Sequence, residues 1–364
     1  MGFIYNNIMK ISSIFKDKLY SLPASQGINS VETQIIEKIL SQCSEDIDID
    51  KISLVYIEED YDFYKLESGD RIFDLKFSLD YDSVKFKREI KNVKNSKSIF
   101  STRYIDSGEV KIGDKLLFLL TESSYSEPLF DYGRSQLTRE FHSFCGCYVD
   151  FSKFTNYRIT YKTLIKDFLL ESDMSSCFDA DQISFIEHNS DFGKSKMIID
   201  CLKSEIKDQL RNLPKVYTGN ILGDISKNSI FVTGDQFLFK DLRYACKGHV
   251  YSDIANMVLF LGLNQDVERS LIKDVSAKMS IEEDRSLYND FYQIELRKKA
   301  IQYLLQYLKE VYLYESSRVE TIMNIIDSFS QSYNRLCKIP IFKDNREFIT
   351  KNITEPILDN NSSS

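Results

Sequence analysis

Tryptophan is absent from the 364 residues, proline occurs five times and histidine three times. The first two scarcities exclude no function. The third does: His142, His188 and His249 are not spaced with cysteine, aspartate or glutamate as a metal site. Long apolar runs are also missing. None approaches the roughly 18 residues that a membrane-crossing helix needs, and the longest candidates, around Lys115–Leu120 and Val258–Leu263, have the size of core segments. The first residues, Met1-Gly2-Phe3-Ile4-Tyr5-Asn6-Asn7, carry no basic region ahead of an apolar stretch, so no signal peptide is expected. Asn6 stands where a myristoylation signal has Ser or Thr. The seven cysteines are odd in number and scattered. Only Cys145 and Cys147 are close, without the second pair of a zinc site or the spacing of a Cys-x-x-Cys redox motif. Buried free thiols in a reducing compartment are expected, hence a cytoplasmic protein. A net charge of −8 argues against broad nucleic-acid binding, which wants a basic face.

What is present suits a folded chain. Hydrophobic residues make up 43% and aromatics 13%, enough to bury a large core. Residues 1–50 are expected to form a helical extension. Val31, Ile35, Ile36, Ile39 and Leu40 repeat at helical spacing, with Asn29 as cap and Glu32 as its reciprocal partner. Three strand candidates follow: Ile52–Ile57, Asp62–Glu67 and, after a Ser68-Gly69-Asp70 turn, Arg71–Phe77. A charged helix spans Val84–Ser96, with Glu89 as its only acid. Its basic residues from Lys85 to Lys97 interleave only Phe86, so a solvated face is expected rather than a nucleic-acid site. Thr102–Ile105 and Lys115–Leu120 read as two more strands, joined across Gly108–Asp114. From Pro128 onward helices dominate: Leu129–Phe144, Thr163–Glu171, Ile198–Leu213 and much of 281–335. No internal repeat or sustained heptad occurs, and residues 351–364, ending in Asn and Ser, read as a frayed tail.

One stretch organises the rest. Leu222-Gly223-Asp224-Ile225-Ser226-Lys227-Asn228-Ser229 is a polar loop carrying one acid. Ile230–Val232 is an apolar strand, Thr233-Gly234-Asp235-Gln236 a tight turn, and Phe237–Lys240 a second strand ending at Asp241. The turn folds the chain back, so Asp224 and Asp241 are expected to face one cleft. Phosphoryl transfer from a nucleotide uses such a pair: one carboxylate orients or deprotonates the attacking hydroxyl and the other holds Mg²⁺.

At these residues the chain resembles the aminoglycoside phosphotransferase and choline kinase-like family, relatives of the protein kinases. That family's loop runs His-Gly-Asp, four residues, Asn, then Ile or Val, and its metal-binding Asp ends the next hairpin. Gly223, Asp224, Ile230 and Asp241 match. Leu222 replaces the His, and Ser229 falls where the Asn belongs, with Asn228 one place early. Tyr251-Ser252-Asp253-Ile254-Ala255 matches a further family segment, in which the Asp starts a helix and braces the loop.

The resemblance implies an α+β, two-lobed protein kinase-like fold: a small antiparallel β-sheet lobe at 51–122 and a larger, mainly helical lobe at 123–350. It implies ATP and Mg²⁺ as cofactors and a small hydroxylated molecule as acceptor, with no nucleic-acid or membrane partner. Asp224 is the implied catalytic residue. Asp241, with Ser229 or Asn228, is the implied metal site. Lys76 on the third strand, braced by Glu89, is the implied phosphate contact, with Lys65 as competitor if the strand order slips. Thr121–Ser124 takes the place of the hinge that meets adenine. The turn Glu58-Glu59-Asp60-Tyr61 lacks the glycines that protein kinases place over the phosphates. Asp191-Phe192-Gly193 precedes Asp224 and Gly193-Lys194-Ser195 lacks the first P-loop glycine, so both are chance matches. With Leu222, Ser229 and the acidic turn, a kinase-like binding or regulatory protein with weak or no transfer stands as the alternative. A helical scaffold with an accidental hairpin is the third reading.

Overall fold

The computed structural model describes residues 30–57, 61–78, 80–81, 83–95, 103–112, 114–123, 127–128, 141–154, 159–225, 229–233, 236–313, 335–336 and 338–345. In chain order these give α1 (Ser30–Leu40), β1 (Lys51–Ile57), β2 (Asp62–Ser68), β3 (Arg71–Ser78), α2 (Val84–Asn95), β4 (Arg103–Ile112), β5 (Asp114–Ser123), β6 (Glu127–Pro128) and α3 (Phe141–Phe154). Next come α4 (Tyr161–Glu171), α5 (Met174–Cys177), α6 (Ala180–Asn189), α7 (Phe192–Asn212), β7 (Gly219–Ile221), β8 (Ile230–Thr233) and β9 (Gln236–Phe239). The last are β10 (Cys246–Gly248), α8 (Val250–Phe260), α9 (Gln265–Met279), α10 (Arg285–Leu313) and α11 (Pro340–Asp344). The chain forms two units, Met1–Tyr157 with Ser226–Ala245 and Arg158–Ile225 with Cys246–Ser364.

In the first unit an antiparallel sheet has the order β1-β2-β3-β5-β4. Strand alternation sorts β3 into two faces. Phe73, Leu75 and Phe77 join Tyr64, Leu66, Phe118 and Leu120 in a core closed by Ile35, Ile36 and Ile39 of α1. Asp74, Lys76 and Ser78 lie on the opposite face and are also buried. Helix α2 turns Phe86, Glu89, Asn92 and Val93 inward, and its basic residues take the other positions. The β8–β9 hairpin, with β6 at its side, forms a second small sheet in which Thr233 pairs with Gln236. Helix α3 covers it, Phe144 meeting Phe237 edge to face at 5.2 Å and Phe151 lying 5.1 Å from Phe239.

The fourth strand is longer than its sequence pattern implies, running through Gly108 to Ile112. Gly108 is not a turn residue there. It lies opposite Phe118, whose ring would stand 3.3 Å from an added Cβ, and Val110 beyond it is buried.

In the second unit α10 packs against both α7 and α8. The first turn of α7 contains Gly193-Lys194-Ser195, with Asp191 at its N-cap, so both chance matches are the ordinary start of a helix. Among the described residues no helix is long and apolar enough to cross a membrane. Of the expected features, most of 1–50 before Ser30, the turn at 58–60, Ser124, the helix over 129–140, Asn228, Gly234-Asp235, 314–334, Cys337 and the tail lie outside the described residues.

Candidate active site

The sheet unit assembles four of the expected residues. Strand register places Lys76 between Phe63 on β2 and Leu119 on β5, on the face that α2 covers. Its Nζ donates to Glu89 Oε1 at 2.5 Å, and Glu89 is fully buried. Lys76 also lies over the Tyr61 ring at 4.7 Å and near Phe63 at 5.6 Å. Burial raises the Glu89 carboxyl above its usual range, the Asp241 charge adds to this, and Lys76 opposes it. Glu89 Oε2 has no hydrogen-bond partner among the described residues. Lys65, the competitor, stands opposite Ser53 and Asp74 in the strand register, while the bond to Glu89 comes from Lys76.

Asp241 follows β9 and is 2% exposed. Arg243 grips both of its oxygens, Nε donating to Oδ1 at 2.9 Å and Nη2 to Oδ2 at 2.7 Å, and its backbone N–H adds a 3.3 Å bond to Oδ1. Burial alone would raise the Asp241 carboxyl, but Arg243 and then Lys76 outweigh it and hold it low. The following segment is tied to α2, since Asn92 Nδ2 donates to the carbonyls of Leu242 at 2.8 Å and Ala245 at 3.3 Å. Ser229 is buried at the start of the hairpin, its carbonyl accepting from Lys240 N at 3.1 Å. Lys240 in turn reaches Asp74 at 2.9 Å, a second buried ion pair on the Lys76 face.

The second unit carries Asp224. The loop bends at Gly223, whose φ of 78° is left-handed and suits glycine. Asp253, in the first turn of α8, accepts from Leu222 N at 2.6 Å and Gly223 N at 2.9 Å, so it braces the loop directly. Capping of α8 falls instead to His249, whose Nδ1 accepts from Tyr251 N. Burial lowers the His249 imidazole to about 4, opposed by Asp284. One helical turn past Asp253, Asn256 Nδ2 donates to Asp224 Oδ1 at 3.2 Å. From α10, Lys298 meets Asp224 at 3.1 Å and Glu295 at 2.9 Å, and Tyr161 OH donates to Glu295 at 2.8 Å. Burial would raise Asp224, but Lys298 and Lys299 prevail and hold its carboxyl at about 2. Asp224 keeps 21% of its side chain exposed whereas Lys298 keeps 4%. It is therefore a part-exposed carboxylate that is ionised at neutral pH.

Neither protein-family models nor curated protein sequences match the chain. Solved structures do. Amicoumacin kinase hAmiN, solved with AMP-PNP, Ca²⁺ and Ami, superposes with a TM-score of 0.57 over 85% of this chain and 94% of its own, at 11% identity. A thermostable mutant of aminoglycoside phosphotransferase APH(4)-Ia, solved with ADP and hygromycin B, gives 0.51 over 85% and 98%, also at 11% identity. A choline/ethanolamine kinase family protein from Mesorhizobium loti gives 0.52 over 88% and 99%, at 12% identity. The chain has the protein kinase-like fold of these small-molecule kinases. Within that fold it is divergent, and the low identities speak to architecture alone.

The residues beyond the motif carry most of the electrostatics. Arg243, Asn256, Lys298, Glu295, Asp74 and Lys240 were not singled out by the sequence patterns. Lys298 had a signal: Phe291, Ile294, Lys298, Ile301 and Leu305 follow core spacing on α10, and a lysine on an otherwise apolar stripe needs a buried partner. Arg243 had none beyond its nearness to an acid. Tested against a cation, the expected donors fit poorly. Both Asp241 oxygens already accept from the buried Arg243 guanidinium, and Ser229 can add only a neutral hydroxyl oxygen that has another interaction of its own.

Proposed function

We propose that this protein binds ATP and transfers its terminal phosphoryl group to a hydroxyl of a small molecule. The observation that carries the reading is the buried Lys76–Glu89 pair on a β3 strand of kinase-like topology. An ammonium held by a carboxylate in a low-dielectric setting is a preorganised contact for phosphate oxygens. Asp224 orients the acceptor hydroxyl, fixed by Asn256 and Lys298 on a loop braced by Asp253. Lys298 neutralises that acid, which lowers its repulsion toward an incoming phosphate. The kinases of the same fold, among them structures with hygromycin B and spectinomycin, support a small hydroxylated acceptor class.

A second reading, nucleotide binding with little or no transfer, is favoured by the closed Asp241–Arg243 pair. Turnover of radiolabelled ATP against a panel of hydroxylated amines and sugars separates the two. Transfer that is lost in Asp224→Asn supports the phosphotransferase. Binding of ATP without transfer to any acceptor supports the second reading, and transfer persisting unchanged in the variant removes Asp224 from its role.

A further inference from the structure

The first unit buries six charged side chains among the described residues, and they form three ion pairs: Lys76–Glu89, Lys240–Asp74 and Arg243–Asp241. The third differs from the others in geometry. It is a fork-on-fork pair that uses both carboxylate oxygens, and the backbone N–H of Arg243 closes it further. The guanidinium also lies 4.8 Å from the Tyr61 ring centroid and 5.5 Å from that of Tyr244. Lys76 occupies the same Tyr61 ring at 4.7 Å, so two cations share one aromatic. Unlike lysine, arginine does not shed its proton on burial, which makes Arg243 a permanent positive charge.

A magnesium ion needs carboxylate oxygens at about 2.1 Å. At Asp241 it would compete for a carboxylate on which Arg243 already places three hydrogen bonds, and displacing the guanidinium would leave it buried without its carboxylate. Breaking one buried pair weakens cation binding on the order of a hundredfold or more. We propose that Arg243 is the fixed cation of this site, standing where a divalent ion would, so that the unit takes the polyphosphate of a nucleoside di- or triphosphate without a divalent metal. The ligand half of this inference rests on the nucleotide reading above; the assignment of Arg243 does not.

The test uses the full chain with Mn²⁺ as probe, read by electron paramagnetic resonance, and ADP as nucleotide, read by thermal shift. Wild type shows no Mn²⁺ site that depends on Asp241, with or without ADP. Arg243→Gln gains one, and Arg243→Gln/Asp241→Asn loses it again. The ADP shift of the wild type is the same in EDTA as in excess Mg²⁺, to within about twofold in affinity. A wild-type Mn²⁺ site abolished by Asp241→Asn overturns the assignment and leaves the nucleotide reading intact. So does an Arg243→Gln protein that folds and binds no Mn²⁺, because the guanidinium is then not what excludes the ion. A roughly tenfold gain in ADP affinity on adding Mg²⁺ to the wild type also overturns it. Absence of any ADP shift in both conditions overturns the nucleotide reading and the metal-free ligand together, and the Mn²⁺ comparison then decides Arg243 alone.

Discussion

Replacing Lys76 with methionine removes the charge and most of the hydrogen-bonding capacity but keeps the bulk of the stem. Glu89 is then fully buried, with one oxygen already unpartnered and the other newly so. Breaking a buried pair from one side costs about 3–5 kcal/mol. The carboxyl escapes that cost by taking a proton. From its ordinary value of 4.5, protonation at pH 8 costs about 4.8 kcal/mol and at pH 5 only about 0.7 kcal/mol. The sign follows from linkage. With Lys76 gone the folded-state value of Glu89 rises further above the unfolded one, so the folded form holds the extra proton and stability falls as pH rises. Lys76→Met is therefore expected to lose about 3–5 kcal/mol at pH 8 and below about 1 kcal/mol at pH 5. Lys76→Met/Glu89→Leu carries neither charge and should lie within about 1 kcal/mol of wild type at pH 8, recovering about 2–4 kcal/mol of the Lys76→Met loss. Urea unfolding followed by far-UV circular dichroism at the two pH values measures this. A Lys76→Met penalty that is independent of pH and simply adds to that of Glu89→Leu would mean that the two side chains are not a coupled buried pair.

The second unit yields three more expectations. Asp253→Asn leaves a single side-chain acceptor for the two backbone N–H groups of Leu222 and Gly223, costing about 1–3 kcal/mol and speeding amide exchange at Gly223. Gly223→Ala forces a side chain into a left-handed φ and should destabilise by about 1–2 kcal/mol, whereas Gly193→Ala, in a helix with open space around it, should stabilise by up to about 1 kcal/mol; calorimetric melting compares them. His249 is held neutral, its folded value of about 4 lying below the unfolded 6.5, so its contribution is complete above pH 6.5 and lost as pH falls toward 4. Over that window wild type should lose about 3 kcal/mol more than His249→Asn, which retains a capping oxygen without titrating.

The strands were legible because β2 and β3 alternate cleanly, and the hairpin because a Gly-Asp turn separates two short apolar runs. Lys76 and Glu89 could be named because the resemblance implies a lysine on the third strand paired with an acid on the next helix, and Glu89 is the lone acid of that helix. The end of β4 was not legible, since Gly108 looks like a turn until its cross-strand neighbour Phe118 is known. Arg243 was invisible for a different reason. An arginine two residues from an acid is commonplace, and only the backbone path brings its fork onto that carboxylate. The Lys298–Asp224 contact joins residues far apart in sequence, and no local pattern encodes which helix face meets which loop.

Lys76, fixed by Glu89, is the proposed seat of the nucleotide phosphate. Equilibrium dialysis with labelled ATP on wild type and on Lys76→Met/Glu89→Leu, the variant expected to stay folded, tests it most directly. One saturable site is expected in wild type, weakened by about tenfold or more in the variant. Equal binding by the two proteins, or no saturable binding by the wild type, would contradict it.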